Sequence, residues 1–440
     1  MSEWTLKSMQ DYGNQFLVGG MSSNFRENPY TSLPMYLSKA DGPYIYDITG
    51  KKYIDYFMGH GAVLLGHNRS EIKNAIIKVL QNGYTAEFDN LMTIELAKQI
   101  TEIIPCAERV RFTNSGSEAT QLAMRLARGY TKREKIIRID GHFHGVYDYV
   151  LFNNLAGLID VNNFGDKESV SNLFSSGIPE SVIKTQIIIP WNNVEIIEKV
   201  VKKQGNKIAA IMMNPIDYNN GCITTSKEYL SSILKIAHQY NILVIFDEIL
   251  SGFRTGLSCA QGYYDVTPDL CTIGKALSNG VPLAAIVGKQ EVMAKFLDND
   301  LPVVHGGTFS GSLLGVSAAL ASLEIMSQPE FYPNLFDNAE YFFQNLQKIF
   351  DDKRIPAIVQ FLGSNFFIYF GTREPVADYR QFQHLDFGMA KKFITSCIEQ
   401  GIYFHTDFTV SAAHTRDVID LSLNKIEEIC TTAFGKLNHP

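Results

Sequence analysis

The clearest pattern along the chain is a series of short, almost uninterrupted apolar runs separated by longer amphipathic stretches. The runs are VRFTN (110–114), IIRID (136–140), QIIIP (186–190), IAAIMMN (208–214), ILVIFDE (242–248) and LCTIG (270–274). Strands without polar alternation are covered by helices on both faces, which predicts a mostly parallel sheet. Between the runs lie helical patterns such as EATQLAMRLARGY and KEYLSSILKIAHQY. Strand and helix in alternation give the α/β class.

The two ends read differently. Residues 1–45 are polar and irregular, rich in Gly, Ser, Asn and Pro, and predict an arm packed against something else. In the following GPYIYDITGKKYIDYF, aromatic and β-branched residues flank Thr49-Gly50, which predicts a hairpin. After Gly315 a helical pattern, VSAALASLEIM, leads into the long amphipathic stretch FYPNLFDNAEYFFQNLQKIF. Short strands (IVQFLG, NFFIYFG, IYFHT) then mix with helices at 385–399 and 416–435. The expected division is an arm and hairpin over 1–60 packing with the small lobe, a large α/β domain over 61–315, and a small α+β domain over 316–440.

Composition narrows the class without changing it. A chain of 440 residues suggests about two to four lobes of ~100–200 residues. The 45% hydrophobic and 19% charged residues are ordinary for a folded protein. The net charge of −7, with no basic stripe, argues against a nucleic-acid partner. No apolar run approaches the ~18 residues of a membrane span, and the first residues lack a signal pattern. The six cysteines form no Cys-x-x-Cys pair and mostly sit in apolar segments, so buried free thiols in a reducing compartment are expected. These features point to the cytoplasm.

Three places carry candidate chemistry. Asn114-Ser115-Gly116-Ser117-Glu118-Ala119 lies between a predicted strand and helix. Glycine there permits close approach of a ligand, and a helix start with serine hydroxyls suits phosphate; a simple helix cap is the alternative. Asp247 ends an apolar strand, where ligands bind in open α/β sheets. A buried carboxylate needs a partner: either a protonated pyridine nitrogen, which makes such a ring an electron sink, or a cation such as Arg254. Lys275 follows LCTIG with apolar sequence on both sides, which points it into the sheet-end crevice. A partly desolvated amine forms Schiff bases with carbonyls; a solvated surface lysine is the alternative.

Order and spacing join these signals: a phosphate loop, a strand-end Asp, then a strand-end Lys. Here the chain resembles the class III aminotransferases of the fold type I pyridoxal-phosphate (PLP) superfamily, and within them the glutamate semialdehyde aminomutase subgroup. The resemblance runs from about residue 15 to the C-terminus. It is carried by YIDY (53–56), LGH (65–67), NSGSEA (114–119), HG (144–145), FDE (246–248), GFR (252–254), GK (274–275) and GGTFSG (306–311).

It implies roles position by position. Lys275 would be the Schiff-base lysine and Asp247 the partner of the pyridinium. Ser115, Gly116 and Ser117 would hold the phosphate. Phe143 would stack on one face of the ring, with Ile249 on the other, and Asn219 would lie near the ring hydroxyl. Thr308 would reach the phosphate of a neighbouring subunit, implying a homodimer with shared sites. Ser23 and Arg26 would face the substrate, Arg26 on its carboxylate.

Several positions depart from the family. Asn214 replaces the usual Glu of a Glu-Pro pair. His60 stands where aminomutases carry a substrate-facing Trp; it is either a packed histidine or a polar pocket wall for a different substrate. Ser312-Leu313 replaces Asn-Pro, and the glutamate–arginine gate of many ω-aminotransferases has no counterpart. Residues 152–180 correspond to a mobile lid, which would exclude water from carbanionic intermediates. The expectation is therefore a cytoplasmic PLP-dependent transaminase passing an amino group from an amine or amino acid to a keto or aldehyde acceptor. The alternatives are an intramolecular aminomutase and, remotely, a non-catalytic scaffold.

Overall fold

The computed structural model describes residues 4–152 and 175–434. Backbone contacts divide the chain into two compact units, one of Met1–Ser70, Pro329–Pro375 and His384–Pro440, the other of Glu71–Gln328 and Val376–Gln383. The expected boundaries, after 60 and after 315, fall earlier than these. Residues 61–70 stay with the first unit because Leu64 and Leu65 are buried and the Leu64 carbonyl accepts from Ala412 N–H at 2.9 Å. The helix Leu313–Met326 stays with the second because it is buried almost all round and packs against the helix Leu91–Ile103.

In the first unit, β1 (Leu37–Asp41), β2 (Tyr44–Asp47) and β3 (Lys52–Asp55) form an antiparallel meander. The turn between β2 and β3 is the expected one. The Asp47 carboxylate accepts from the N–H groups of Thr49 and Lys51 at 2.9 and 3.0 Å, a side chain closing its own turn.

The second unit is built on β4 (Arg109–Thr113), β5 (Lys135–Ile139), β6 (Gln186–Ile189), β7 (Ile208–Met213), β8 (Leu243–Glu248), β9 (Leu270–Ile273) and β10 (Ala284–Gly288), in the order β4-β10-β9-β8-β7-β5-β6. Strands β5 to β9 are parallel, and every residue of β7 and β8 is buried, as two-sided coverage requires. Strand β10 was not among the predicted strands. It runs antiparallel between β9 and β4. Residues 274–283 are too few for a crossover helix, so the chain must return beside the strand it left.

The chain then re-enters the first unit with β11 (Ala357–Leu362), β12 (Asn365–Phe370), β13 (Ile402–Tyr403) and β14 (Phe408–Thr409). Strand β13 pairs parallel with β3, and β11, β12 and β14 form a second small sheet. Tyr56 stacks on Phe342 and Phe404, at 4.8 and 5.4 Å between ring centroids, so hairpin and C-terminal segment share one aromatic core. Of the expected lid over 152–180, residues 153–174 lie outside the described residues.

Candidate active site

The site is assembled at the carboxyl ends of the parallel strands. Strand β4 ends at Thr113, and a helix starts at Gly116. Ser115 Oγ accepts from Glu118 N–H at 3.2 Å, while the Glu118 carboxylate accepts from Asn114 N–H at 2.8 Å. This reciprocal cap fixes a helix start, and first-turn N–H groups have no partner within their own helix. They are the donors a phosphate needs.

Close approach explains the glycines. A Cβ on Gly116 would stand 2.9 Å from Ile249 Cγ2, and one on Gly274 would stand 3.2 Å from Ile249 Cδ1. Ile249 therefore brings the helix start and the turn carrying Lys275 to one place. On another side, a Cβ on Gly145 would lie 2.6 Å from Ser117 Oγ, which accepts from Val146 N–H at 3.1 Å. The segment carrying half-buried Phe143 is thereby set against Ser117. Lys275 is half-buried and has φ 46°, a left-handed conformation that costs ~1–3 kcal/mol for a residue with a side chain.

Asp247, at the end of β8, is 2% exposed. Its Oδ1 accepts from the Thr272 hydroxyl at 2.9 Å and from Ile249 N–H at 3.1 Å, and its Oδ2 lies 2.7 Å from His144 Nδ1. Burial depresses the His144 pKa even against the pull of Asp247, so a neutral ring donates through Nδ1. The carboxylate is thus held by His144, where the sequence offered Arg254 as the cationic alternative.

The next residue, Glu248, is buried and accepts from Ala260 N–H at 2.6 Å and Gln261 Nε2 at 3.0 Å. Burial pushes its carboxyl up to about 7 despite those bonds. Strand alternation turns it to the face opposite Asp247.

The Asn214 departure has a local reason. Its Nδ2 donates to the Asp247 carbonyl at 3.1 Å, which a carboxylate cannot do, and its N–H donates to His142 Nδ1 at 3.0 Å. The His142 ring lies 3.9 Å from the Trp191 ring, and burial lowers its pKa well below the usual histidine range. Asn219 is half-buried, its N–H donating to Asp217 Oδ1 at 3.1 Å. Asn220 Nδ2 donates to the Gly141 carbonyl at 2.6 Å. Buried Asp217 is pushed up to about 7.

Not every predicted residue joins this group. Thr308 is exposed in the second unit, and a Cβ on its neighbour Gly307 would lie 3.8 Å from Asn114 Nδ2. Ser23, Arg26 and His60 belong to the first unit. Ser23 Oγ accepts from Phe25 N–H at 3.3 Å at the start of the short turn Asn24–Arg26, and both Ser23 and Arg26 are exposed. His60 Nδ1 lies 2.9 Å from Asp407 Oδ1. The sequence reading missed the roles of His142, His144 and Thr272 behind Asp247, and of Asp407 beside His60. The His-Phe-His stretch after an apolar strand was the available signal.

These residues fit the cofactor implied by the motifs. Glycines at 116 and 145 let Ile249 and the segment carrying Phe143 approach the helix start closely, that capped start offers N–H donors, and a buried carboxylate is held by His144, Thr272 and the Ile249 N–H. Among the described residues no group of three or more His, Cys, Asp or Glu could hold a metal ion.

Known proteins agree. The family model described as aminotransferase class-III matches residues 25–427. A protein of a Sulfurihydrogenibium species named glutamate-1-semialdehyde 2,1-aminomutase is 34% identical over 433 residues, covering 97% of this chain and 99% of that one. The Methanocaldococcus jannaschii protein of the same name is 35% identical over 430 residues, covering 96% and 97%. Among solved structures, an ω-transaminase from Sphaerobacter thermophilus superposes with a TM-score of 0.91 at 25% identity, covering 98% of both chains. A glutamate-1-semialdehyde aminomutase from Pseudomonas aeruginosa has the same fold, with a TM-score of 0.85 at 17% identity, covering 96% of this chain and 93% of that one. The chain belongs to the class III aminotransferases and is a PLP-dependent enzyme of that family.

Proposed function

We propose that the chain moves an amino group within a small amino-carbonyl substrate, as an aminomutase. The observation that carries this reading is the near-full-length similarity to proteins named aminomutase, at about a third identity. It reverses the weighting taken from sequence alone, where transamination led.

PLP supplies an aldehyde that bonds to amines and a ring that accepts electrons. The chain supplies the rest. Lys275 Nζ would hold the cofactor and would carry a proton to or from the substrate carbon. Asp247, oriented by His144, Thr272 and the Ile249 N–H, keeps the ring nitrogen protonated. Ser115, Gly116 and Ser117 would hold the phosphate, Phe143 and Ile249 would flank the ring, and Asn219 would serve its hydroxyl. Arg26 and Ser23 take a substrate carboxylate, and His60 forms a pocket wall.

A second copy of the chain completes the site through Thr308. Phe309, Leu301 and Val304 stand exposed in the same segment, 59–77% accessible, as expected of a covered face. No helix among the described residues is long and apolar enough to cross a membrane. The free, buried cysteines suit the cytoplasm.

Transamination between two substrates is the second reading, favoured by the His60–Asp407 pair in place of an aromatic wall. Acceptor dependence separates the two. An aminomutase isomerises its amino-carbonyl substrate with no added keto acid; release of an oxo product only when a keto acid is present would replace it with a transaminase. Sedimentation showing a monomer at micromolar concentration would remove the assignment of Thr308.

A further inference from the structure

The second unit holds a buried acid that the proposed chemistry leaves unused. Asp217 is wholly buried, and its N–H and carbonyl pair with Ile223 at 3.0 and 3.1 Å, closing residues 217–223 into one loop. The carboxylate shapes that loop from inside. Its Oδ1 accepts from Asn219 N–H at 3.1 Å and its Oδ2 from Asn220 Nδ2 at 3.2 Å. Burial pushes the carboxyl up to about 7 against those bonds. An acid kept dry is retained at a cost, and such groups cluster at functional sites.

Asn220 carries the hold across to a second segment. The same Nδ2 donates to the Gly141 carbonyl at 2.6 Å. An amide NH2 has two hydrogens, so both bonds form at once. Gly141 is left-handed, with φ 80°, and a Cβ there would stand 2.5 Å from the Tyr379 ring, so packing also fixes its backbone.

The residues that follow Gly141 are pinned in turn. His142 Nδ1 accepts from Asn214 N–H at 3.0 Å, and the His144 carbonyl accepts from the Thr120 hydroxyl at 2.6 Å. His144 Nδ1 donates to Asp247 at 2.7 Å, and half-buried Phe143 stands between the two histidines. One amide nitrogen thus joins the loop carrying Asn219 to the segment carrying Phe143 and His144.

We propose that Asp217 is a positioning residue of the site: by orienting Asn220 it sets the Gly141 carbonyl, and with it the placement of Phe143 and His144. The inference rests on the reading above that Phe143 flanks PLP and Asn219 serves its hydroxyl, and it adds what keeps the two in register.

The test uses full-length protein, cofactor-free and PLP-loaded, at pH 8.5, where Asp217 is ionised. Asp217→Asn keeps an oxygen for Asn219 N–H but turns an amide against Asn220 Nδ2. Asn220→Ala removes the donor to Gly141, and Asn220→Ser, too short to reach it, takes its place if that variant does not fold. Ile233→Val, a buried position on the helix Lys227–Gln239, is the control for a general loss of stability. Nitrogen NMR of the histidine rings, with His144 assigned through His144→Phe, reports the segment, and PLP titration reports the cofactor. Asp217→Asn and Asn220→Ala should each move the His144 signal, and Ile233→Val should not. Each should raise the PLP dissociation constant roughly 10-fold, the equivalent of one hydrogen bond of about 1.4 kcal/mol. The double variant should lose no more than either single one, because the two residues act in series. An unmoved His144 signal in both single variants, an equal shift in Ile233→Val, or an additive loss of roughly 100-fold in the double variant overturns the proposal. A His144 signal that moves without added effect in the double variant supports it even where PLP affinity is unchanged. If Asn219→Ala then also leaves affinity and the absorbance of bound PLP unchanged, it is the placing of Asn219 and Phe143 at the cofactor that fails.

Discussion

Replacing His144 by Phe keeps an aromatic ring in place and deletes the 2.7 Å bond to Asp247. Both side chains are at most 2% exposed, so water cannot substitute for the lost donor. A hydrogen bond to an ionised group contributes ~1.5–3 kcal/mol, and a middle value of about 2 kcal/mol corresponds to roughly 30-fold in the unfolding constant. The bond is to a neutral ring, so the loss stays below the ~3–5 kcal/mol of breaking a buried ion pair.

The pH dependence sharpens this prediction. The folded His144 pKa is lowered, so below about pH 6.5 the unfolded chain binds a proton there that the native one does not. Wild-type stability therefore declines through His144 as pH falls, while the Phe variant has no such proton to gain. The wild-type advantage should be largest above pH 7 and shrink toward pH 5. Denaturant unfolding of both proteins without cofactor, at pH 8, 7, 6 and 5, measures it. Equal stability at pH 8, or an advantage that grows as pH drops, would refute the reasoning.

Three further outcomes are expected. Gly145→Ala puts a methyl 2.6 Å from Ser117 Oγ at φ 119°, and should lower the melting temperature and weaken PLP binding together, read by thermal melts and cofactor titration. Glu248→Gln removes a carboxyl whose folded pKa is raised to about 7. Wild-type stability falls through this group between about pH 4.5 and 7, so the variant should gain on wild type as pH rises through that window in denaturant melts and then level off. Borohydride treatment of the loaded enzyme should fix pyridoxyl on the peptide containing Lys275, and Lys275→Ala should abolish the tag in mass spectrometry.

The parallel strands were legible because two-sided burial writes itself as unbroken apolar runs, and the hairpin because its turn residues are punctuated. Strand β10 escaped for a physical reason: AAIVG is short, and its direction depends on the length of the turn before it. Lys275, Asp247 and the loop at Ser115–Ser117 stood out as candidates because each sits at a strand end. What holds Asp247 could not, since His144 and Thr272 are 103 and 25 residues away in sequence and meet it only through sheet order. Asp407 was hidden likewise, 347 residues from His60. The Asn214 departure read as a lost charge, and its role as a donor to a carbonyl appears only with the backbone in place.

Among the described residues strand β4 has one neighbour in its sheet, β10, whose Ala284 is registered opposite Thr113. The turn just beyond Thr113, proposed to hold phosphate, therefore rides on a strand that stays unpaired until residues far later in the chain have left the ribosome. Until then the nascent polypeptide carries that turn with its local cap alone, and this corner of the fold is completed by the longest-range pairing of the sheet.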